Sequence, residues 1–282
     1  MTAPISKKLG IQDFHTTIES KIDCDNPYDP SWIFSCKATL CDLCDSGAIE
    51  QFINKSLKHL ISGPKADDPR WLDTGVTLTS GKTWTLRLTI YDNQASGIYS
   101  FPHVGLIRNL GDVAYSYLLY ELPKNYINDQ FQKEAQLGQS HTIEMPPKGL
   151  ACIDGRMHAL DVSVNRPSAT LRLYAHLPLT LQWKFNRKSL KAEEAFAGQI
   201  DSSELVSLTS AIGAIGGACS SLLLEELAQH PVHFVRWSAI KNLARLSPTK
   251  AIELIRAALV DVHPDVRNAA KRSIANIDKA VS

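Results

Sequence analysis

Apolar and polar residues alternate through the middle of the chain, and this pattern predicts a β region over about residues 71–185. In the segment 83–92, Trp84, Leu86 and Leu88 fall on one face of a strand and polar residues fall on the other. That period of two is typical of a half-buried strand. Six further segments have strand character, at 113–122, 140–145, 150–154, 158–164, 169–177 and 179–185. Because no helical pattern separates these short strands, we expect a sandwich or a barrel.

Helical patterns flank the β region on both sides. Residues 31–62 carry apolar side chains at helical spacing and predict one or two helices, which follow an irregular arm over 1–30. From about Lys188 to the end, apolar residues recur every three or four positions, which predicts an all-helical region. We therefore divide the chain into an arm and helical lead segment over 1–70, a β domain over 71–187 and helical repeats over 188–282.

The C-terminal helical region repeats itself at an offset of 31 residues. The motif V-R-x-x-A at 235–239 returns at 266–270, and each copy follows a His-Pro pair, at 230–231 and at 263–264. A period of this size indicates stacked helix pairs, because one pair cannot bury its apolar face alone. The segment 261–277 resembles a HEAT repeat, and its short period is closest to the phycobilisome-lyase type. The resemblance implies a short α-solenoid, whose common role is to contact a partner protein.

The first repeat helix begins with residues that suit an interface. His233, Phe234 and Trp237 are predicted interface residues, since aromatic side chains are favoured as binding anchors. They would bind an outside protein partner or seal the repeats against the β domain, and both interpretations stay open. In repeats of this type the arginine usually pairs with an Asp of a neighbouring turn, so we expect Arg236 and Arg267 to pair with such residues, for example Asp261 or Asp265.

Composition narrows the class of protein. The 282 residues suit about two domains, and 44% hydrophobic with 21% charged residues is ordinary for a globular protein. Lys and Arg number 30 against 29 Asp and Glu, and the segment 201–282 is also close to neutral. Binding to nucleic acid or to an anionic membrane requires an excess of basic residues. We therefore expect neither partner.

The N-terminus and the longest uncharged stretch favour a cytoplasmic protein. No apolar segment follows Lys7 and Lys8, so no secretory signal is predicted. Residues 205–224 carry no charge, but serines and glycines interrupt them. We predict a helical hairpin that turns at Gly216 and Gly217 instead of a membrane span.

Four cysteines have spacing that would suit zinc. They follow the pattern C-x11-C-x4-C-x2-C, at Cys24, Cys36, Cys41 and Cys44. Four thiolates can close a tetrahedral shell around Zn²⁺. However, Cys41 and Cys44 begin a helical pattern, where small buried cysteine side chains are common. The sequence leaves both interpretations open.

Two short motifs of the β region resemble the cupin family. They are G-x5-H, which ends at His103, and G-x2-H, which ends at His158. The stretch that follows His158 is similar to the end of cysteine-dioxygenase-like cupins. The resemblance covers about residues 71–180 and implies a degenerate cupin-like β-barrel. It also implies that His103 and His158 would bind Fe²⁺ or another divalent metal. Gly105 and Asn109 stand near positions where the family has further ligands, which puts a complete metal shell in doubt.

The same region offers candidates for a small-molecule pocket. Aromatic walls with a few polar groups are typical of such pockets. The predicted lining residues are His103, Arg108, Asn109, Tyr115, Tyr117 and His158.

The sequence as a whole predicts an α+β multidomain protein. N-terminal helices precede a cupin-like β-barrel, and a short all-α HEAT-like solenoid follows it. We expect a binding protein whose repeats contact a partner protein and whose barrel holds or senses a small ligand. The alternative is an iron-dependent, dioxygenase-type cupin enzyme that acts on a small molecule. The sequence identifies no catalytic residue, substrate, ligand or partner.

Overall fold

A computed structural model describes residues 9–61, 71–72, 75–91, 96–164, 166–177, 180–217 and 219–281. The described residues form two six-stranded sheets and eight α-helices, which is an α+β fold. The chain divides into two compact units. The β unit comprises residues 1–126, 133–178 and 182–194, and the helical unit comprises 127–132, 179–181 and 195–282.

The β unit begins with helices. They are α1 (Ile11–Glu19), a 3₁₀ helix (Pro30–Cys36), α2 (Lys37–Asp45) and α3 (Ala48–Ile61). The helices predicted within 31–62 are confirmed. The prediction of an irregular arm over 1–30 is wrong where α1 forms. Phe14 and Ile18, four residues apart on one face of α1, are fully buried, so this short helix is held by packing.

Each sheet combines strands from distant parts of the chain. In spatial order, the first sheet contains β1 (Trp71–Leu72), β2 (Gly75–Ser80), β3 (Trp84–Tyr91), β10 (Ser168–His176), β5 (His103–Asn109) and β8 (Leu150–Asp154). The second contains β12 (Ala192–Ala197), β11 (Leu181–Phe185), β4 (Ile98–Ser100), β9 (His158–Ser163), β6 (Tyr115–Glu121) and β7 (Ser140–Met145). The strands predicted from sequence all occur, with ends shifted by at most two residues.

Five of the twelve described strands, β1, β2, β4, β5 and β12, are not among those predicted, and two of them change the interpretation of the sequence. Residues 103–109 were not among the predicted strands, yet they form β5, which pairs with both β10 and β8. The all-helical region predicted from Lys188 begins only at Ile200, because residues 192–197 form the edge strand β12. Both segments are too short or too irregular in polarity to show a clear period of two.

The outer face of the first sheet is apolar and lies under the N-terminal helices. Trp84 and Leu86 of β3 are fully buried, and Leu173 of β10 lies opposite Leu86. The Phe14 ring of α1 meets the Trp84 ring edge-on, with 6.5 Å between their centroids. The 3₁₀ helix contacts β10 and β5 on the same face, and α2 contacts β5. Both faces of this sheet are therefore covered, whereas the alternation alone predicts one covered face.

Between the sheets lies a core that both sheets supply. Its buried members are Phe101, Ile107, Tyr115, Tyr117, Leu119, Met145, Ala151, Ile153, Leu160 and Val162. The inner face of the first sheet also carries Thr85, Arg87 and Arg172, because these residues alternate with the outward-facing leucines. The polar residues of β3 thus face the interior and not the solvent.

A glycine brings two turns of the β unit together. The backbone N–H of Gly155 donates to the carbonyl oxygen of His103 over 3.0 Å. A Cβ atom at Gly155 would lie only 1.6 Å from the carbonyl oxygen of Phe101, so only glycine fits. The turn between β8 and β9 therefore packs against the turn between β4 and β5.

The helical unit contains α4 (Ile200–Ile215), α5 (Ser220–Leu227), α6 (His233–Leu246), α7 (Pro248–Ala257), a 3₁₀ turn (Ala258–Val260) and α8 (Pro264–Val281). Its core includes Leu224, Ala239, Leu243, Val266 and Ala270. The helical break predicted at Gly216 and Gly217 is confirmed, because α4 ends immediately before these residues. None of the described helices combines the length and the hydropathy that a membrane span requires.

The repeated sequence motif has a repeated geometry. Nη1 of Arg236 donates to the carbonyl oxygens six and five residues before it, both at 2.9 Å. Nη1 of Arg267 does the same, at 2.7 and 3.0 Å. Nδ1 of His230 and Nδ1 of His263 each accept the backbone N–H two residues ahead, at 3.1 and 3.2 Å. The arginine contacts therefore repeat at an offset of 31 residues, whereas the His-Pro pairs lie 33 residues apart, so the two turns share these contacts without being copies position by position.

The first copy adds an ion pair to this geometry. Arg236 donates from Nε and Nη2 to the two carboxylate oxygens of Asp261, at 3.0 and 2.7 Å. The predicted pairing of Arg236 with Asp261 is confirmed. Both side chains are mostly buried, and the bidentate arrangement is the strong form of this pair. The same expectation for Arg267 is wrong, because within the described residues its hydrogen-bond acceptors are backbone carbonyls and not a carboxylate.

We expect Arg236→Ala to destabilise the protein by about 2–4 kcal/mol, because it leaves the Asp261 carboxylate buried without its partner. Arg267→Ala is the matched control, and we expect a loss of about 1 kcal/mol from carbonyl bonds alone. Urea denaturation followed by circular dichroism measures both changes. Equal losses in the two variants would show that the ion pair contributes nothing beyond the shared turn geometry.

Candidate functional site

Polar and aromatic side chains gather on the inner face between the two sheets. We call this group the interior cluster, and its members are Tyr91, Phe101, His103, Tyr115, Tyr117, Arg172, Tyr174 and His176. Strand β10 supplies three of them by alternation, since Leu171, Leu173 and Ala175 face the opposite side and are buried there. Strands β3, β5 and β6 supply most of the others.

Aromatic rings surround His103 at one end of the cluster. Its ring stacks on Tyr174 with 4.4 Å between centroids, and the Phe101 ring meets it edge-on at 5.2 Å. His176 lies directly opposite His103 in the strand register, with 5.6 Å between the rings. Nε2 of His176 lies 2.9 Å from the hydroxyl of Thr85, a contact that fixes the orientation of the His176 ring.

His103 is held neutral and keeps one nitrogen unsatisfied. Burial lowers its pKa well below the usual value, and the nearby His176 and Arg172 lower it further. Nδ1 of His103 is buried and has no hydrogen-bond partner among the described residues. A buried polar atom of this kind usually has a partner, so it marks a position where a ligand atom would bind.

Arg172 brings a positive charge into the same interior. Its guanidinium carbon lies 4.9 Å from the centre of the Phe101 ring, and its Nε is buried with no acceptor among the described residues. Burial opposes its charge, but four surrounding phenols favour it, and the net effect raises the pKa of Arg172. The guanidinium therefore stays charged. No Asp or Glu in the described part of the chain forms an ion pair with it.

Two tyrosines complete the polar lining. The hydroxyls of Tyr115 and Tyr117 lie 3.1 Å apart, and the two rings meet edge-on. Burial raises the pKa of Tyr115 to about 12 and the pKa of Tyr117 well above its usual value. Both phenols are therefore neutral near pH 7. One of the two hydroxyl groups donates its proton to the oxygen of the other. The proton of the second hydroxyl has no acceptor among the described residues.

The structure divides the predicted pocket residues. His103, Tyr115 and Tyr117 belong to the interior cluster. Arg108 does not, because it lies on the outer face of β5, where Nη1 donates to Cys41 Sγ over 3.0 Å. The prediction of Arg108 as a pocket residue is a consequence of missing strand β5, whose alternation turns this side chain outward.

Asn109 has a structural role. It is fully buried, and its Nδ2 donates to the carbonyl oxygens of Val113 and Met145 at 2.9 and 3.1 Å. Its Oδ1 accepts the backbone N–H of Gly111 over 2.9 Å. The amide thus fastens the turn after β5 to the end of β7, and its polar atoms are all occupied.

His158 lies near the turn that Gly155 permits. Its Nδ1 is 3.3 Å from the carbonyl oxygen of Asp154, and its ring meets the His141 ring edge-on at 5.5 Å. The described part of the β unit brings no three His, Cys, Asp or Glu ligand atoms within 4.8 Å of one another. The metal shell expected around His103 and His158 is therefore not assembled from these residues.

The four spaced cysteines do not converge either. All four lie among the described residues and are free thiols, and no three of their sulfur atoms come within 4.8 Å of one another. Cys36 is buried and donates to the carbonyl oxygen of Trp32, and burial raises the pKa of Cys44 to about 12. These features agree with the alternative of small helix side chains.

One group with the residue types of a metal site occurs in the helical unit. A ligand atom each of His233, His263 and Asp265 lies within 4.8 Å of the other two. However, the two imidazoles stack face to face, 3.7 Å apart and only 5° from parallel. The nitrogen lone pairs of the two rings therefore lie in two parallel planes. Nitrogen atoms of both rings cannot bind one metal ion at the usual metal–nitrogen distance of about 2 Å. His263 also uses both nitrogens, on Asp129 and on the Asp265 backbone.

The predicted interface residues lie at the start of α6. His233 is buried against His263, and the Phe234 ring meets His233 edge-on at 5.2 Å. Trp237 is partly buried and packs against the core of the helical unit. Their use in binding a partner stays a prediction.

Sequence reasoning missed Arg172, Tyr174 and Tyr91 as members of a site. The signal was present in segment 169–177, where Arg172, Tyr174 and His176 share one face. The alternation alone does not say whether that face meets solvent or an interior, so the sequence indicates only His176 of the three as a possible ligand. The large aromatic residues beside the arginine are the sequence feature that indicates a buried face.

Comparison with known proteins finds distant similarity in structure only. No protein-family model and no curated protein matches the chain. A hydroquinone 1,2-dioxygenase from Sphingomonas sp. TTNP3 with 4-hydroxybenzoate bound matches at 13% identity and a TM-score of 0.31, over 42% of this chain and 82% of that one. A sugar phosphate isomerase from a cupin superfamily, from Silicibacter pomeroyi, matches at 10% identity and 0.24, over 43% and 74%. A DMSP lyase from Ruegeria pomeroyi matches at 8% identity and 0.26, over 64% and 80%.

Acid should destabilise the protein through His233. Its pKa is lowered to about 4, chiefly by burial and next by His263, while Asp265 and Asp129 oppose and Arg236 adds to the lowering. The unfolded chain therefore binds a proton near pH 6.5 that the folded chain excludes until about pH 4. We expect the free energy of unfolding to fall by about 2–3 kcal/mol between these pH values.

Urea denaturation at a series of pH values measures this effect. The His233→Gln variant should lack this part of the pH dependence, whereas His141→Gln, at an exposed position, should keep it. The same pH dependence in wild type and His233→Gln would contradict the lowered pKa.

Proposed function

We propose that the β unit binds a small molecule among the side chains of the interior cluster, in a barrel of the cupin type. The observation that carries this proposal is the buried Nδ1 of His103, which lacks a partner in an interior that aromatic rings surround. The two sheets and the motifs that end at His103 and His158 support the cupin type.

An interior that only stabilised the fold would be apolar. Leaving a buried polar atom unsatisfied costs about 1–3 kcal/mol, and apolar residues of similar shape would avoid that cost. The interior cluster instead holds His103 and Arg172, both with unsatisfied buried nitrogens. Such an arrangement is favourable when a ligand supplies the missing partners, as in pockets with aromatic walls and few polar groups.

The iron-dependent enzyme is the less favoured reading of the same site. Structural or catalytic metal sites take three or four protein ligands. His103 and His158 gather no third ligand from the described residues, and His176 already contacts Thr85. The donor set that the described residues of the β unit present therefore does not fit a metal.

For the helical unit we propose a HEAT-like array that contacts a partner protein. The support is the repeated arginine and histidine geometry of the two His-Pro turns. In repeat folds of this kind, neighbouring turns stack and leave an extended surface for binding.

Ligand-induced stabilisation tests the small-molecule proposal. A library of small organic compounds, neutral and charged, should contain some that raise the thermal midpoint of the full chain. We expect His103→Phe, which keeps the ring stack on Tyr174 and loses Nδ1, to weaken those compounds about tenfold. His141→Phe, outside the interior cluster, is the control and should bind as wild type does. A library without a single binder would reject the proposal.

Metal content separates the two readings of the β unit. We expect protein purified without chelators to contain far less than one iron or other transition-metal ion per chain, measured by mass spectrometry. Stoichiometric metal that is lost in both His103→Ala and His158→Ala would instead establish the metal-dependent reading. Loss in His263→Ala alone would assign the metal to the helical unit.

A further inference from the structure

We propose that the interior cluster binds the carboxylate group of a small organic acid, and that Arg172 is the residue that holds it. This inference rests on the proposed binding of a small molecule in the β unit and names the chemical class of that molecule. It is drawn from the balance of charges, donors and acceptors around Arg172.

The first step is the charge of the interior. Arg172 stands on the inner face of β10 with the Phe101 ring at 4.9 Å as its described partner, and no described Asp or Glu pairs with it. The Arg172 side chain is only partly exposed, and its buried Nε lacks an acceptor, so a charge-assisted hydrogen bond is available to an anion that reaches it.

The second step is the excess of donors. The guanidinium of Arg172 offers N–H groups and no acceptor, and its Nε is buried without a partner. The Tyr115 and Tyr117 hydroxyls bond to each other, which leaves one O–H proton to donate. Neither phenol ionises near pH 7, so neither serves as the counter-ion. A ligand that satisfies this site must supply acceptor oxygens.

The third step is the choice among anions. A guanidinium presents two parallel N–H groups that match the two oxygens of a carboxylate. One unpaired guanidinium balances one negative charge, whereas a phosphate near neutral pH carries up to two. The apolar residues beside the site, including Phe101, Ile107 and Ile153, suit the hydrocarbon part of an organic acid and not a hydrated inorganic ion. The geometry therefore favours an organic monocarboxylate.

Isothermal titration calorimetry on the full chain tests this inference. The probes are acetate, butyrate and phenylacetate, each compared with its neutral amide, with inorganic phosphate as a separate arm. We expect at least one carboxylate to bind at least tenfold more tightly than its amide and more tightly than phosphate. The variant Arg172→Met should lose binding at least thirtyfold, and Arg172→Lys, which keeps the charge without the planar fork, should lose about tenfold.

Two further variants keep the test decisive. Arg108→Met removes an arginine from the outer face of β5 and should leave carboxylate binding unchanged. Tyr117→Phe removes one hydroxyl of the pair and should weaken binding several-fold, which provides a second probe if Arg172→Met does not fold. Without ligand, Arg172→Met should raise the thermal midpoint, because it removes a buried Nε that has no acceptor among the described residues. With the carboxylate, only wild type should gain stability.

The outcomes distinguish the two levels of the proposal. If neutral compounds bind and carboxylates do not, the carboxylate inference is overturned while small-molecule binding stands. Tighter binding of phosphate than of any carboxylate also overturns it. If Arg172→Met binds carboxylates as wild type does, Arg172 does not hold the ligand. If neither carboxylates nor neutral compounds bind, both the inference and the proposed function fail.

Discussion

The helical cover on the outer face of the first sheet is the constraint on which the β unit depends. The apolar face of a sheet must pack against another layer of secondary structure. Here α1, the 3₁₀ helix and α2 form that layer over β3, β5 and β10. Trp84, Leu86 and Leu173 satisfy the hydrophobic requirement of the sheet on this side. The inner face is thereby released from having to be apolar throughout. The inner face can therefore carry arginine, histidine and tyrosine while packing on the outer face keeps the sheet stable.

This division explains why the interior is chemically mixed. Ile107, Leu160 and Val162 belong to the same packed core as Phe101, Tyr115 and Tyr117 of the interior cluster, so apolar and polar side chains share the space between the sheets. Burial keeps His103 neutral and the phenols of Tyr115 and Tyr117 protonated, while Arg172 keeps its charge. The site therefore has one fixed cation and several neutral groups near pH 7. Such a site discriminates by charge first and by the placement of hydrogen bonds second.

The alternation of apolar and polar residues predicted most of the strands, but it did not predict which face of each strand is exposed to solvent. In segment 83–92 the pattern of Trp84 and Leu86 against Thr85 and Arg87 is the same whether the polar face meets water or an interior site. Only the added cover from the N-terminal helices decides between the two, and that cover is a tertiary effect. Strand β5 was missed because HVGLIRN shows no clean alternation, so the sequence did not show that Arg108 faces away from His103 and the predicted pocket. His103, Tyr115 and Tyr117 could be predicted as site residues from their type alone, because histidine and tyrosine carry polar groups that bind ligands on either face of a strand.

The two repeats of the helical unit keep one geometry although their His-Pro pairs fall at different positions. Helix α6 begins at His233 and α8 at Pro264, 31 residues apart, and Arg236 and Arg267 bond carbonyls at the same offsets. The structural repeat therefore contains no inserted residue, and the His-Pro pair itself lies two residues earlier in the first copy. His233 stacks on His263 of the second turn at 3.7 Å, and Arg236 reaches the same turn through Asp261. An imidazole stack thus lies beside a bidentate ion pair at one junction, and these two contacts hold the neighbouring turns of the repeat together.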